Sequence, residues 1–380
     1  MRQPNPLPPA FSSADGPATE EARIIGVGTA VPAFSYSQRE LLDIFGITDP
    51  RVRSVFLNSA IERRFLNLPP ALPDGTRRME TQGELLQKHR THGIEMGARS
   101  LQSCLKQAEA DIDDVGYLCC VSSTGFLTPG FSALVIRELG LRPECARLDV
   151  VGMGCNAGLN GLSAVSGWAR AHPGKLAVML CIEACSAAYV FDGTMRTSVV
   201  NSLFGDGSSA VAVMAGEDER EGPALLKFAS RIVPEAIDAM RYDWDDHEGK
   251  FSFYLDQDVP YVVGAHAETI IGDLLAGTGL RRDDISHWIV HSGGKKVVDS
   301  VMVNLNLTRR DLRHTTNVLR DYGNLSSGSF LFSYSALVDE GTVRPGDYGV
   351  LMTMGPGSTI ETALIQWRPG DGPRFPVVPG

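Results

Sequence analysis

The chain has 380 residues, a formal net charge of −10, 43% hydrophobic and 21% charged residues. That length can bury a large core without disulfides or metals, and an acidic balance argues against a nucleic-acid binder, which carries a basic face. No apolar run reaches the ~20 residues needed to cross a bilayer, so no membrane partner is expected.

Residues 1–20 are rich in Pro, Ser and Ala without periodicity, which predicts a disordered leader rather than a signal peptide. ARIIGVGTAV (22–31) predicts a strand ending in a glycine turn, and 82–108 a long helix with Leu85, Ile94, Met96 and Leu101 on its apolar side. Apolar runs at 117–123, 146–152, 175–184 and 208–216 alternate with helical stretches such as 129–139. Continuous apolar strands between helices imply a sheet covered on both faces, hence an α/β fold. The second half repeats the pattern, with strands expected at 287–294, 347–355 and 359–367.

Two segments share one order of elements. GCNAGLNGLSAVSGWARAHPGKLAVML (154–180) has a turn, a small-residue helix, Pro-Gly and an apolar strand; GNLSSGSFLFSYSALVDEGTVRPGDYGVLM (323–352) has the same. Small residues permit close approach on all sides, so each helix is expected to be central. The pairing suggests an internal duplication, with units at 21–220 and 221–370 and a tail at 371–380.

Seven cysteines are present, an odd number, mostly in apolar strand-like sequence without paired C-x-x-C spacing. Buried free thiols in a reducing cytoplasm, and no zinc site, are the expectation. Cys155 stands apart. In VVGMGCNAGLNG a buried strand ends, two glycines turn the chain, and a helix begins at or just after the thiol. The partial positive charge of a helix N-terminus favours a thiolate, the nucleophilic form. His291 closes an apolar strand before Ser-Gly-Gly and can act as base or oxyanion donor. Asn324 precedes the second small-residue helix at the place matching Cys155 in the first. Its amide suits a helix cap or a donor to a developing oxyanion. His89, His92 and His287 form no ligand-spaced cluster. The GDG of 202–213 is only a turn signal. Nucleotide-binding loops and serine-hydrolase elbows are missing from the sequence.

GCNAGLNGL, LFGDGSSAV, HSGGKK, YGNLSSGS and MGPGSTIE, in this order, resemble the type III polyketide synthases of the chalcone synthase group. The resemblance spans about 22–367. It implies a thiolase fold of two pseudo-duplicated halves in αβαβα layers, and a homodimer. Cys155 would accept the acyl chain; His291 would keep it ionised and, with Asn324, bind the malonyl-CoA carbonyl and the enolate left by decarboxylation. Metals and prosthetic groups have no part in that chemistry. Phe204 and Phe253 match gatekeepers between a CoA tunnel and the reaction cavity. Ser123, Cys185, Ala239 and Ser326 match cavity positions, and Glu183 a carboxylate on the same strand as Cys185.

Gly293 and Lys296, in the turn after His291, complete the expected substrate side, and Arg51, Arg53, Arg63, Arg64 and Lys295 are further candidates for CoA phosphates. The sequence departs from chalcone synthases in having His-Ser-Gly-Gly for His-Pro-Gly-Gly, Cys185 and Ala188 where those enzymes carry hydroxyls, and Thr128 where a methionine crosses their dimer. A bulky phenylpropanoid starter is therefore not expected. DPRVRSVFLNSAIERRFL and LRDYGNLSSGSFLFSY resemble a branch using malonyl-CoA as starter and extender, four units in all, with hydratase-like accessory proteins as possible partners. A ketosynthase-like enzyme with another acyl starter remains open. A non-catalytic subunit would lack the nucleophile.

Overall fold

Apolar runs become the strands of one nine-stranded sheet, most of them buried, with the edge strand Ala146–Val151 largely exposed. The computed structural model describes residues 21–73, 77–190, 194–216 and 222–368; the expected leader at 1–20, the unit boundary at 220–221 and the tail at 371–380 lie outside the described residues. The strands are β1 (Ala22–Ala30), β2 (Val115–Ser122), β3 (Ala146–Val151), β4 (Leu176–Glu183), β5 (Gly207–Ala215), β6 (Ala224–Ile232), β7 (Ile285–Val290), β8 (Tyr348–Gly355) and β9 (Thr359–Gln366), in the spatial order β7-β8-β9-β6-β1-β5-β4-β2-β3. Most boundaries fall within two residues of those expected. The strand before His291 is shorter than the apolar run and stops at Val290, leaving His291 in the turn. β6 was not foreseen, because Lys227 and Arg231 interrupt its apolar character.

The sheet is two sheets joined at one point. β1 and β6 share a single ladder pair, Arg23 with Ala224. Between the two parts lie α3 (Ala157–Ala171) and α8 (Ser329–Glu340). Each packs on strands from both parts: α3 on β2, β4, β5, β8 and β9, and α8 on β1, β5, β7 and β8. The outer face of one part is covered by α1 (Gln82–Gln107) and α2 (Phe131–Leu139), and that of the other by α5 (Val259–Leu275) with α6 (Lys295–Asn304) against it. The layers are therefore α, β, α, β, α. α1 begins in a capping box in which Thr81 and Glu84 satisfy each other's backbone N–H groups.

Small residues let the central helices meet. A Cβ on Gly158 of α3 would lie 2.3 Å from the Ser327 carbonyl oxygen and 2.6 Å from the Phe330 ring. The duplication is metric. α3 begins at 157 and α8 at 329; β4 spans 176–183 and β8 spans 348–355, the same shift of 172 residues. A short 3-10 turn precedes each helix, Gly154–Asn156 and Ser326–Gly328, opening on a left-handed residue, Gly154 at φ 79° and Ser326 at φ 51°. This register corrects one expectation. Ser327, not Asn324, is the counterpart of Cys155; Asn324 lies three residues earlier, opposite Gly152.

α4 (Met195–Leu203) and α7 (Arg313–Tyr322) lie beside the turns that lead into the second central helix. A hairpin outside the sandwich pairs Met240–Asp245 with Lys250–Leu255.

Candidate active site

β3 ends at Val151, the chain turns through Gly152 and Gly154, both at positive φ, and Cys155 is presented in the 3-10 turn before α3. Gly154 is required twice over: its φ favours glycine, and a Cβ there would lie 2.1 Å from Pro356. Cys155 is 8% exposed. Its Sγ lies 3.6 Å from Ser326 Oγ. Burial pushes the thiol up to about 12, with the Glu183 carboxylate adding to the shift and hydrogen bonds from Ser326 and Asn324 opposing it. Desolvation thus opposes the thiolate that the helix N-terminus favours.

His291 follows β7 directly, and its backbone N–H donates to Met352 O at 2.8 Å. Gly293 leaves room for the ring, since a Cβ there would lie 3.1 Å from His291 Cδ2. Nδ1 meets Ser329 Oγ, and Ser329 donates its own hydrogen to Ser326 O at 3.2 Å. The imidazole hydrogen therefore belongs on Nδ1, leaving Nε2 as the lone-pair nitrogen. Burial pushes the ring down to about 3. Burial thus favours the uncharged form of both the thiol and the imidazole.

Asn324 is held as a strand-like bridge to Phe204. Its N–H donates to Leu203 O at 2.9 Å and its carbonyl accepts from Gly205 N–H at 2.9 Å. Oδ1 accepts from Ser326 N–H at 2.8 Å, which fixes the amide and turns Nδ2 toward Gly293 O, 3.5 Å away, and toward the thiol. Glu183, fully buried at the end of β4, accepts from the backbone N–H of Ser123 at 3.0 Å and from Ser327. It thereby ties the end of β2 to the turn before α8, and burial holds its carboxyl above the usual range.

Above Cys155 opens a largely apolar cavity of about 420 Å³. Phe204 and Phe253 form part of its wall, edge to face with ring centres 5.8 Å apart. Ser123, Cys185 and Ser326 line it as expected. Ala239 does not: it packs against the outer core, and the neighbouring Met240, Arg241 and Tyr242 of the hairpin line the cavity instead. Lys296 is exposed in the first turn of α6, outside the cavity lining. Arg64 is corrected as a phosphate ligand. It is fully buried and donates to Tyr189 Oη at 2.8 Å, Asn201 O at 2.6 Å, Phe204 O at 2.7 Å and Gln38 Oε1 at 2.9 Å. Its visible signal was its place in an apolar stretch, AIERRFL, where one of two adjacent arginines had to face inward. All seven cysteines are buried and free. No group of three His, Cys, Asp or Glu side chains among the described residues is placed to hold a metal.

Two family models cover most of the chain: "FAE1/Type III polyketide synthase-like protein" over residues 46–278 and "Chalcone and stilbene synthases, C-terminal domain" over 225–368. A 3,5-dihydroxyphenylacetyl-CoA synthase of Amycolatopsis balhimycina is 68% identical over 92% of this chain and 94% of its own. The chain belongs to the type III polyketide synthase family. A Streptomyces toyocaensis protein of the same name is 66% identical over 93% of each chain. The crystal structure of 1,3,6,8-tetrahydroxynaphthalene synthase from Streptomyces coelicolor A3(2) superposes with a TM-score of 0.82 at 26% identity, covering 91% of this chain and 99% of that one. PKS-I from the brown alga Ectocarpus siliculosus gives 0.86 at 23% identity, over 93% and 100%. The fold of this type III polyketide synthase is the thiolase-like α/β fold, and the protein is an acyl-condensing transferase. No helix among the described residues is long and apolar enough to cross a membrane.

Proposed function

We propose that this enzyme condenses four malonyl-CoA units by decarboxylative Claisen steps on Cys155 and closes the chain to 3,5-dihydroxyphenylacetyl-CoA, the product named for its 68%-identical relative. The observation that carries the reading is Cys155 in the wall of an apolar cavity, with the Asn324 amide beside the thiol, and His291 tied through Ser329 to the Ser326 turn that faces it. His291 Nε2 takes the thiol proton, the thiolate attacks the incoming thioester, and CoA leaves as a thiolate that takes its proton from solvent. His291 now carries a proton on Nε2. With Asn324 Nδ2–H it binds the carbonyl oxygen of the next malonyl-CoA. Loss of CO2 places an enolate on that oxygen, held by two donors aimed where charge develops. The enolate carbon attacks the acyl-Cys155 thioester, Cys155 leaves as thiolate, and the chain, two carbons longer, is on CoA; the Cys155 thiolate then takes it back with release of CoA for the next round.

No metal or prosthetic group enters this scheme, because decarboxylation supplies the carbanion. Cys185 and Ala188, both small, leave room for a tetraketide to fold back on itself, form a carbon–carbon bond and lose water to aromatise. A homodimer in the cytoplasm, with hydratase-like proteins acting on the product in a peptide-antibiotic pathway, completes the proposal. The test supplies isotope-labelled malonyl-CoA as sole acyl donor and identifies products by mass spectrometry. A C8 aromatic acid or CoA ester, labelled throughout, is expected; strict dependence on an aromatic or long-chain starter would refute it.

A further inference from the structure

Five hydroxyl-bearing side chains line the cavity: Ser123, Thr124, Tyr189, Tyr242 and Ser326. Four are engaged. Ser123 Oγ accepts from Gly154 N–H at 2.8 Å, Thr124 Oγ1 accepts from Ala184 N–H at 3.1 Å, Ser326 Oγ faces the Cys155 thiol, and Tyr189 Oη bonds Arg64 and Phe204 O. The Tyr242 hydroxyl has no hydrogen-bond partner among the described residues. Its ring is fixed at the base of the 240–255 hairpin against Phe253, with ring centres 5.1 Å apart. Tyr242 is half-buried and lines the same cavity as Cys155 and Cys185. Burial raises the phenol far above its ordinary value, which keeps it a donor across the working range.

An unpartnered O–H in a largely apolar chamber is a recognition group for an acceptor. A poly-β-keto chain on Cys155 carries a ketone oxygen, an acceptor, at every second carbon. We propose that Tyr242 is a specificity-determining residue whose hydroxyl donates to one ketone of the tethered chain, fixing its fold so that carbon–carbon closure outruns attack of an enol oxygen on the thioester. The hydrogen bond polarises the ketone that the methylene attacks; Tyr242 itself forms no covalent bond and gives up no proton. This rests on the functional reading above.

The test is Tyr242→Phe, which keeps the ring and its packing. CO2 release from malonyl-CoA and the ratio of carbon-closed aromatic to lactone products are measured together. A neutral hydrogen bond contributes about 0.5–1.5 kcal/mol, so the ratio should fall roughly 2–13-fold while CO2 release stays within about twofold of the parent. CO2 release also reports folding, and Tyr242→Leu, lacking both ring and donor, should fall at least as far in ratio. An unchanged ratio in Tyr242→Phe overturns the inference alone. A parent enzyme making no aromatic product from malonyl-CoA overturns the functional reading, and this inference with it.

Discussion

Asn324 shows how one side chain is prepared for a role by its own backbone. Oδ1 is held by Ser326 N–H at 2.8 Å, which turns Nδ2 toward Gly293 O and the Cys155 thiol. Removing one such donor commonly costs about 10²–10³ in rate. Asn324→Ala should slow malonyl-CoA decarboxylation by about that factor while Cys155 still accepts an acyl group, detected as a mass adduct on the 152–160 peptide. Decarboxylation at the parental rate would return Asn324 to the status of a structural bridge to Phe204. The placement of Cys155, His291 and Asn324 in turns at element ends was legible in the sequence because glycine stands beside each. Ala239 and Arg64 were misjudged for a common reason. Which residue of a ribbon points inward, and which of two adjacent arginines is buried, depends on pleat and on partners such as Gln38 and Tyr189 that are far away in the chain.

At the scale of elements, the crossing of α3 and α8 governs the site, since both helices begin at it. Gly158 meets the Ser327 carbonyl there, and a methyl group would have to push backbone, which cannot rotate away. Overpacking of this kind costs about 1–3 kcal/mol. Gly158→Ala should lower the denaturation midpoint and also reduce chain extension, because the Cys155 and Ser326 turns move with their helices. Gly167, on the same helix with open space around its Cβ position, is the control: Gly167→Ala should leave both readouts intact or slightly improved. Equal effects of the two would remove the crossing from the argument. The apolar strands and small-residue helices were readable because a fully buried strand needs an unbroken apolar run; β6, lying where the two sheets join, carries Lys227 and Arg231 and gave no such run.

For the whole molecule, buried neutral imidazoles set a limit on the acid side. His291 is pushed from 6.5 down to about 3 and His89 from 6.5 down to about 4, both by burial. Folded-state values below the unfolded one mean that the unfolded chain binds more protons in that window. The stability is fully present above pH 6.5 and is lost as pH falls toward 4 and then 3. Within the window each ring contributes a slope of up to about 1.4 kcal/mol per pH unit. Thermal midpoints should therefore drop steeply between pH 6.5 and 4, and His89→Gln should flatten the upper part of that drop. A midpoint independent of pH across that range would mean that the rings are hydrated in solution.

The hairpin at 240–255 contributes Met240, Arg241, Tyr242 and Phe253 to the cavity, whereas Cys155, His291 and Asn324 come from the turns around the central helices. Reactivity and mould are thus inherited through separate parts of the chain. Lineages can vary the ribbon, and with it the size and curl of what is made, without disturbing the groups that make it. A fold organised in this way is evolvable in its products while remaining conservative in its chemistry.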